Sequence, residues 1–194
     1  MLSFNRIIGP ASAFWLMALV HGFFITPAIP AESLPEGTYR LEQATLTYHV
    51  DYFTKRVTGV SKEARGKGVC ATSCRFVVAA PAKSFQSGDA NRDSNMLETM
   101  LATRFPLVQA DITLERSLAG QTLRARFEVT LAGKVKVYPA VPVSITRTEG
   151  GRYMVHGEIP LVLSDFEIER PSLLLVKIED LAPVSFEATW TVQP

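Results

Sequence analysis

Apolar and polar residues alternate one for one along four long runs of this chain, a period that suits a β-strand with a single buried face. In TLTYHVDYF, Leu46, Tyr48, Val50 and Tyr52 share one side while Thr47, His49 and Asp51 share the other. In LRARFEVTL, Leu123, Ala125, Phe127, Val129 and Leu131 alternate with charged or hydroxyl residues. YMVHGEIPLVL aligns Tyr153, Val155, Ile159, Leu161 and Leu163, and VSFEATWTV aligns Val184, Phe186, Ala188, Trp190 and Val192. CRFVVAAPA, ADITLER, KVKVYPAVPVSITR and the edges near Tyr39 and Val57 raise the expectation to about eight strands. Ala132-Gly133-Lys134 and Glu149-Gly150-Gly151 supply hairpin turns between them. Pro139, Pro142 and Pro160 fall inside strand patterns and imply bulges, edges or strand ends there. So many antiparallel strands must dispose of their free edges. Closure into a barrel and stacking as two sheets both do so, and periodicity does not separate them.

One segment breaks the alternation. In SFQSGDANRDSNMLETMLATRFPLV, Asp89 is suited to cap a helix that begins at Ala90. Met96, Leu97, Met100 and Leu101 follow at helical spacing as an apolar stripe, and Pro106 disfavours helix at Phe105. The expectation is a helix over residues 90–102, lying on the flank or mouth of the strand assembly as a lid.

The chain has 194 residues, with 20 Lys and Arg against 19 Asp and Glu. This near balance gives no sign of a nucleic-acid partner. Residues 1–31 have the layout of a secretory signal: Arg6, a mostly apolar run over residues 11–25, then TPAIPA, with cleavage expected after Ala28 or Ala31. An uncleaved anchor is the alternative, but a run interrupted by His21 falls short of the roughly 20 residues a bilayer needs. The expectation is therefore a periplasmic or secreted protein, with one domain from residue 33 onward. In such a compartment Cys70 and Cys74 are expected to form a disulfide; two free thiols at a turn are the alternative. A metal pair is less favoured, because the two histidines beyond residue 31, His49 and His156, are distant in sequence.

Catalytic constellations are thin. The chain lacks a Gly-x-Ser-x-Gly elbow, a His-Glu-x-x-His motif and a phosphate-cradling glycine loop. An enzyme would have to draw on Tyr48, His49 or His156, and the expectation is no enzyme, no cofactor and no metal. Two charged pairs stand beside turns, Arg92 with Asp93 and Asp165 with Arg170. They either tie loops through charge-assisted hydrogen bonds or form a polar rim for a ligand headgroup.

The order SFQSGDANRDSNM, FPLV, FEVTLAGKVKVYPAVPV and LSDFEIERPSLLLVKIEDLAPVSFEATW closely resembles the YceI-like family of lipocalin-like, polyisoprenoid-binding proteins. It covers the chain from about Tyr39 to Trp190. The resemblance implies an eight-stranded antiparallel barrel with one or two short helices, holding a long-chain isoprenoid or quinone-like lipid in its lumen. It also implies a secreted or periplasmic, often homodimeric protein with no agreed enzymatic activity. The chain departs from the pattern at Asn95 and Ala132, where many members carry histidine. Leu123, Phe127, Val129, Tyr153, Val155, Leu161, Phe186 and Trp190 are the lumen candidates. Alternation alone allows the same residues to fill a solid core, which would leave the barrel as an interaction or scaffold module.

Overall fold

The computed structural model describes residues 33–52, 54–117, 123–170, 172–173 and 176–193. The expected signal segment and Pro171 lie outside them. In chain order the elements are β1 (Gly37–Tyr52), β2 (Lys55–Ser61), β3 (Arg65–Cys70), β4 (Ser73–Pro81), α1 (Ala90–Thr99), β5 (Leu107–Glu115), β6 (Leu123–Leu131) and β7 (Lys134–Arg147). They continue with β8 (Arg152–Ile159), the two-residue strands β9 (Ser172–Leu173) and β10 (Val176–Lys177), and β11 (Val184–Gln193).

Nine strands make one antiparallel sheet in the order β11-β8-β7-β6-β5-β4-β3-β1-β2, and β11 returns to pair with β1. That last ladder runs from Thr38 opposite Gln193 to Tyr48 opposite Val184, so the sheet closes on itself. Closure excludes the two-sheet alternative and leaves only the outer edge of β2 outside the ring, where Val60 bridges Gln86. The ring has eight positions because β2 and β3 share one edge of β1. Gly37–Arg40 pairs with β3 and Leu46–Tyr52 with β2.

Strand β3, RGKGVC, escaped the alternation reading because its inward positions before Cys70 are Gly66 and Gly68. A Cβ at Gly68 would overlap the Phe76 ring, and one at Gly66 would approach Trp190 to 2.8 Å. The glycines let both rings lie flat on the wall, which is why β3 carries no apolar signal there. The prolines also find physical places. Pro139 lies where the β6–β7 register shifts, as expected of a bulge, and Pro160 immediately follows β8.

Two element boundaries differ from expectation. The alternating run over residues 153–163 stops being strand at Ile159, and Leu163 begins a 3-10 turn, Leu163–Phe166. The helix is capped by Asp89 as expected, whose side chain accepts the N–H groups of Asn91 and Arg92. It ends at Thr99 rather than at residue 102. Leu101 is the cause, for it takes a left-handed φ of 52° and turns the chain out of the helix.

The β6–β7 hairpin turns through Ala132 (φ 48°) and Gly133 (φ 76°), both in the left-handed region. A side chain at Gly133 would strike the Phe105 ring, so the segment following α1 is seated on this hairpin tip. At the opposite end of the barrel, Cys70 stands directly across from Cys74 in the β3–β4 ladder and the two form a disulfide, both buried.

Candidate functional site

Inward side chains of seven of the eight ring positions surround an internal cavity of about 130 Å³. The missing contributor is β3, whose glycines lie behind the rings of Phe76 and Trp190. Among the described residues, the lining contains no Asp, Glu, Lys, Arg or His. The polar members of the lining among those residues are Tyr39, Tyr153, Trp190 and Gln109, and Gln109 stands in the outward register of β5. Two of these face partners: Tyr39 Oη donates to the Pro35 carbonyl at 2.8 Å, and Gln109 Nε2 donates to Asp111 Oδ2 at 2.8 Å. Burial pushes the Tyr39 hydroxyl up to about 12, Tyr153 adding to the rise and Arg116 opposing it.

The emptiness shows in the packing. Val78, Ala110, Ile112, Val155 and Ala188 point inward from the middle of their strands yet are only half-buried, because they border open volume. A filled barrel would cover them. On one wall the aromatic rings pack among themselves: Phe76 meets Trp190 edge-on at 4.9 Å between centroids, and Tyr39 meets Phe76 at 5.5 Å. Phe127 and Phe186 approach to 5.6 Å in a second pair. A cavity near 150 Å³ lined by apolar groups holds a benzene. The present volume therefore suits one isoprene-sized or ring-sized group, and a longer chain requires these rings to swing aside.

Seven of the eight sequence candidates line the cavity: Phe127, Val129, Tyr153, Val155, Leu161, Phe186 and Trp190. Leu123, the first residue of β6, packs against the buried cluster without reaching it. Tyr39, Leu41, Phe76, Val78 and Ile112 were missed as lining residues. The alternation in CRFVVAAPA and ADITLER carried the signal for the last three.

The helix residues are brought together only in part. Met96 and Met100 pack against the core cluster. Leu97 is half-buried outside that cluster, and Leu101 is 52% exposed, so the expected four-residue apolar stripe does not face the barrel as a unit. No residue of α1 is fully buried and none lines the cavity.

The charged pairs hold loops. Asp93 accepts the Ser87 N–H at 2.9 Å, and Arg92 donates to the Ser87 hydroxyl and carbonyl at 3.2 and 3.1 Å. Asp165 pairs with Lys136 at 2.9 Å, and Arg170 donates to the Ile178 carbonyl at 3.1 Å. Glu167 pairs with Lys134 at 2.6 Å, which pins the same turn to β7. Asp180 accepts both the N–H and the hydroxyl of Ser164, and these bonds hold its carboxyl below the usual range. His49 lies 3.0 Å from the Thr58 hydroxyl and His156 is exposed; neither lines the cavity, nor does Tyr48. Among the described residues, no group of three His, Cys, Asp or Glu side chains assembles as a metal site.

No protein-family model matches the chain, and no curated protein matches it. Solved structures do. A polyisoprenoid binding domain from Saccharophagus degradans, implicated in plant cell wall breakdown, aligns with a TM-score of 0.65 at 17% identity. The alignment covers 80% of this chain and 98% of that one. Burkholderia cenocepacia BcnA aligns with a TM-score of 0.64 at 15% identity, over 75% of this chain and 95% of its own. What is shared at such identities is the fold: a closed, lipocalin-like antiparallel barrel. The motif resemblance implied the same architecture.

Proposed function

We propose that this chain is an exported YceI-like carrier that holds the apolar tail of a polyisoprenoid or quinone-like lipid inside its barrel, without catalysing a reaction. The observation that carries the reading is the charge-free cavity at the centre of a closed ring. Apolar surface removed from water stabilises a complex by about 25 cal/mol per Å². A tail that threads the lumen can thus bind tightly with few polar contacts, after its ordering cost. The fold shared with a solved polyisoprenoid binding domain supports the ligand class. A long tail exceeds the present volume, and Phe76, Phe186 and Trp190 are the rings whose rotation would admit more of it.

The test is organic extraction and mass spectrometry of protein purified without detergent from cells that export it. The expected result is an isoprenoid lipid in near-equal amount to protein, with a mature N-terminus at Ile29 or Glu32. Protein that stays folded, carries no such lipid and takes up none from solution would sink the carrier reading.

A further inference from the structure

We infer that the outer wall formed by β1, β3 and β4 docks on an anionic lipid bilayer. This rests on the carrier reading for its choice of a bilayer over other anions, since a tail bound in the lumen must come from one.

The charge itself is in the register. Arg40 of β1 stands directly opposite Lys67 of β3, and Arg65 lies two residues earlier on the same strand. Arg75 of β4 is opposite Val69, diagonal to Lys67. All four cations are exposed. Among the described residues, none has a carboxylate partner within 4.0 Å. The outward positions of β3 and β4 carry no acid, being Arg65, Lys67 and Val69, then Ser73, Arg75, Val77 and Ala79. Glu42 on β1 is drawn toward Arg152 at 3.6 Å, and Glu63 precedes β3. Asp111 and Glu115 of β5 lie diagonal to Arg75, so the basic face centres on Arg40, Arg65 and Lys67 with Arg75 at its margin.

Like charges directly opposite one another on a sheet weaken the pairing, so Arg40 against Lys67 does not serve the fold. The chain as a whole carries only +1, so four cations without a carboxylate partner on three adjacent strands are a local concentration. In their midst Val69 is 56% exposed, an apolar contact among basic residues. The face has no aromatic ring on which a nucleic-acid base could stack. Cations near an anionic membrane gain binding individually, and the sum is salt-sensitive.

The exported protein, purified with its leader removed, is floated with phosphatidylcholine vesicles that contain or lack phosphatidylglycerol. It should partition onto the anionic vesicles alone and dissociate as salt is raised. Each cation removed should weaken partition about fivefold, so Arg40→Gln with Lys67→Gln should lose roughly 25-fold. Arg126→Gln, a cation on β6 paired with Glu128, should change little. Thermal melts confirm that each variant is folded, with Arg75→Gln alone replacing any pair that is not. Equal partition onto both vesicle types, or retention by the double variant, would overturn the inference. So would equally tight, equally charge-dependent binding of a DNA duplex. Lipid extraction and uptake report separately on the lumen: anionic-vesicle binding by protein that carries no isoprenoid and takes up none sinks the carrier and upholds the face, and the reverse sinks the face.

Discussion

At one end of the barrel, Cys70 and Cys74 are joined across the β3–β4 ladder beside Leu34 and Tyr39, which are 2% and 1% exposed. Arg116 ties the same end together by donating to the Leu34 carbonyl and pairing with Glu36. At the other end, α1 buries no residue, and residues 161–168 are held to β7 by exposed pairs from Lys134 and Lys136. The first end is sealed by covalent and apolar contacts. The second has no covalent tie: residues 161–168 bury Leu161, Phe166 and Ile168 there, and the ion pairs beside them are screened by water. On the carrier reading proposed above, the end without the disulfide is the one expected to admit a tail.

The largest expected effect tests whether Phe166 is the plug of the weaker end. Phe166→Ala should cost about 3–5 kcal/mol, read in urea unfolding, because the ring is 1% exposed. A loss below about 1 kcal/mol would mean that residues 161–168 are not packed onto the barrel. Next, replacing both Cys70 and Cys74 with serine should cost about 2 kcal/mol, a modest sum because the closed loop is so short. Hydrogen exchange should then quicken in β3 and β4 more than in α1; uniform quickening would erase the contrast between the ends.

The sealed end should also carry an alkaline signature. Tyr39 titrates near 10 in an unfolded chain and about 12 when folded. Its neutral form is therefore favoured by folding, and that contribution is complete below pH 10 and lost as pH climbs toward 12. Tyr39→Phe should flatten this part of the stability profile measured by urea midpoints; an unchanged slope would show that the hydroxyl is not the group responsible. The smallest effect belongs to Lys136→Ala, which removes the exposed pair with Asp165 and should cost under about 1 kcal/mol. Its sharper readout is the rate of lipid uptake, expected to rise as the mouth loosens.

How much of this was legible beforehand follows from what each residue does. Phe127, Val129 and Leu131 face inward because alternation dictates it, and Asp89 caps the helix because its carboxylate can reach two free N–H groups. The disulfide was expected from two cysteines in a chain with an export-type leader. Strand β3 was hidden, since a wall that accommodates flat rings must have glycines where the pattern needs apolar side chains. Leu101 and Leu163 were misplaced for one reason: each continues a hydrophobic period past the residue where the backbone turns away. The volume of the lumen was not legible at all. It depends on how the rings of Phe76, Trp190, Phe127 and Phe186 lean on one another, which no local pattern encodes.

The pairing of β1 with β11 has a consequence for how the molecule comes into being. The strands that complete the ring stand at opposite ends of the described chain, Thr38 beside Gln193. During synthesis the tube must stay unrolled until β11 is available, however early its hairpins form. Until β11 emerges the chain is therefore handled as a ribbon, and its greasy interior comes into existence only once that strand meets β1.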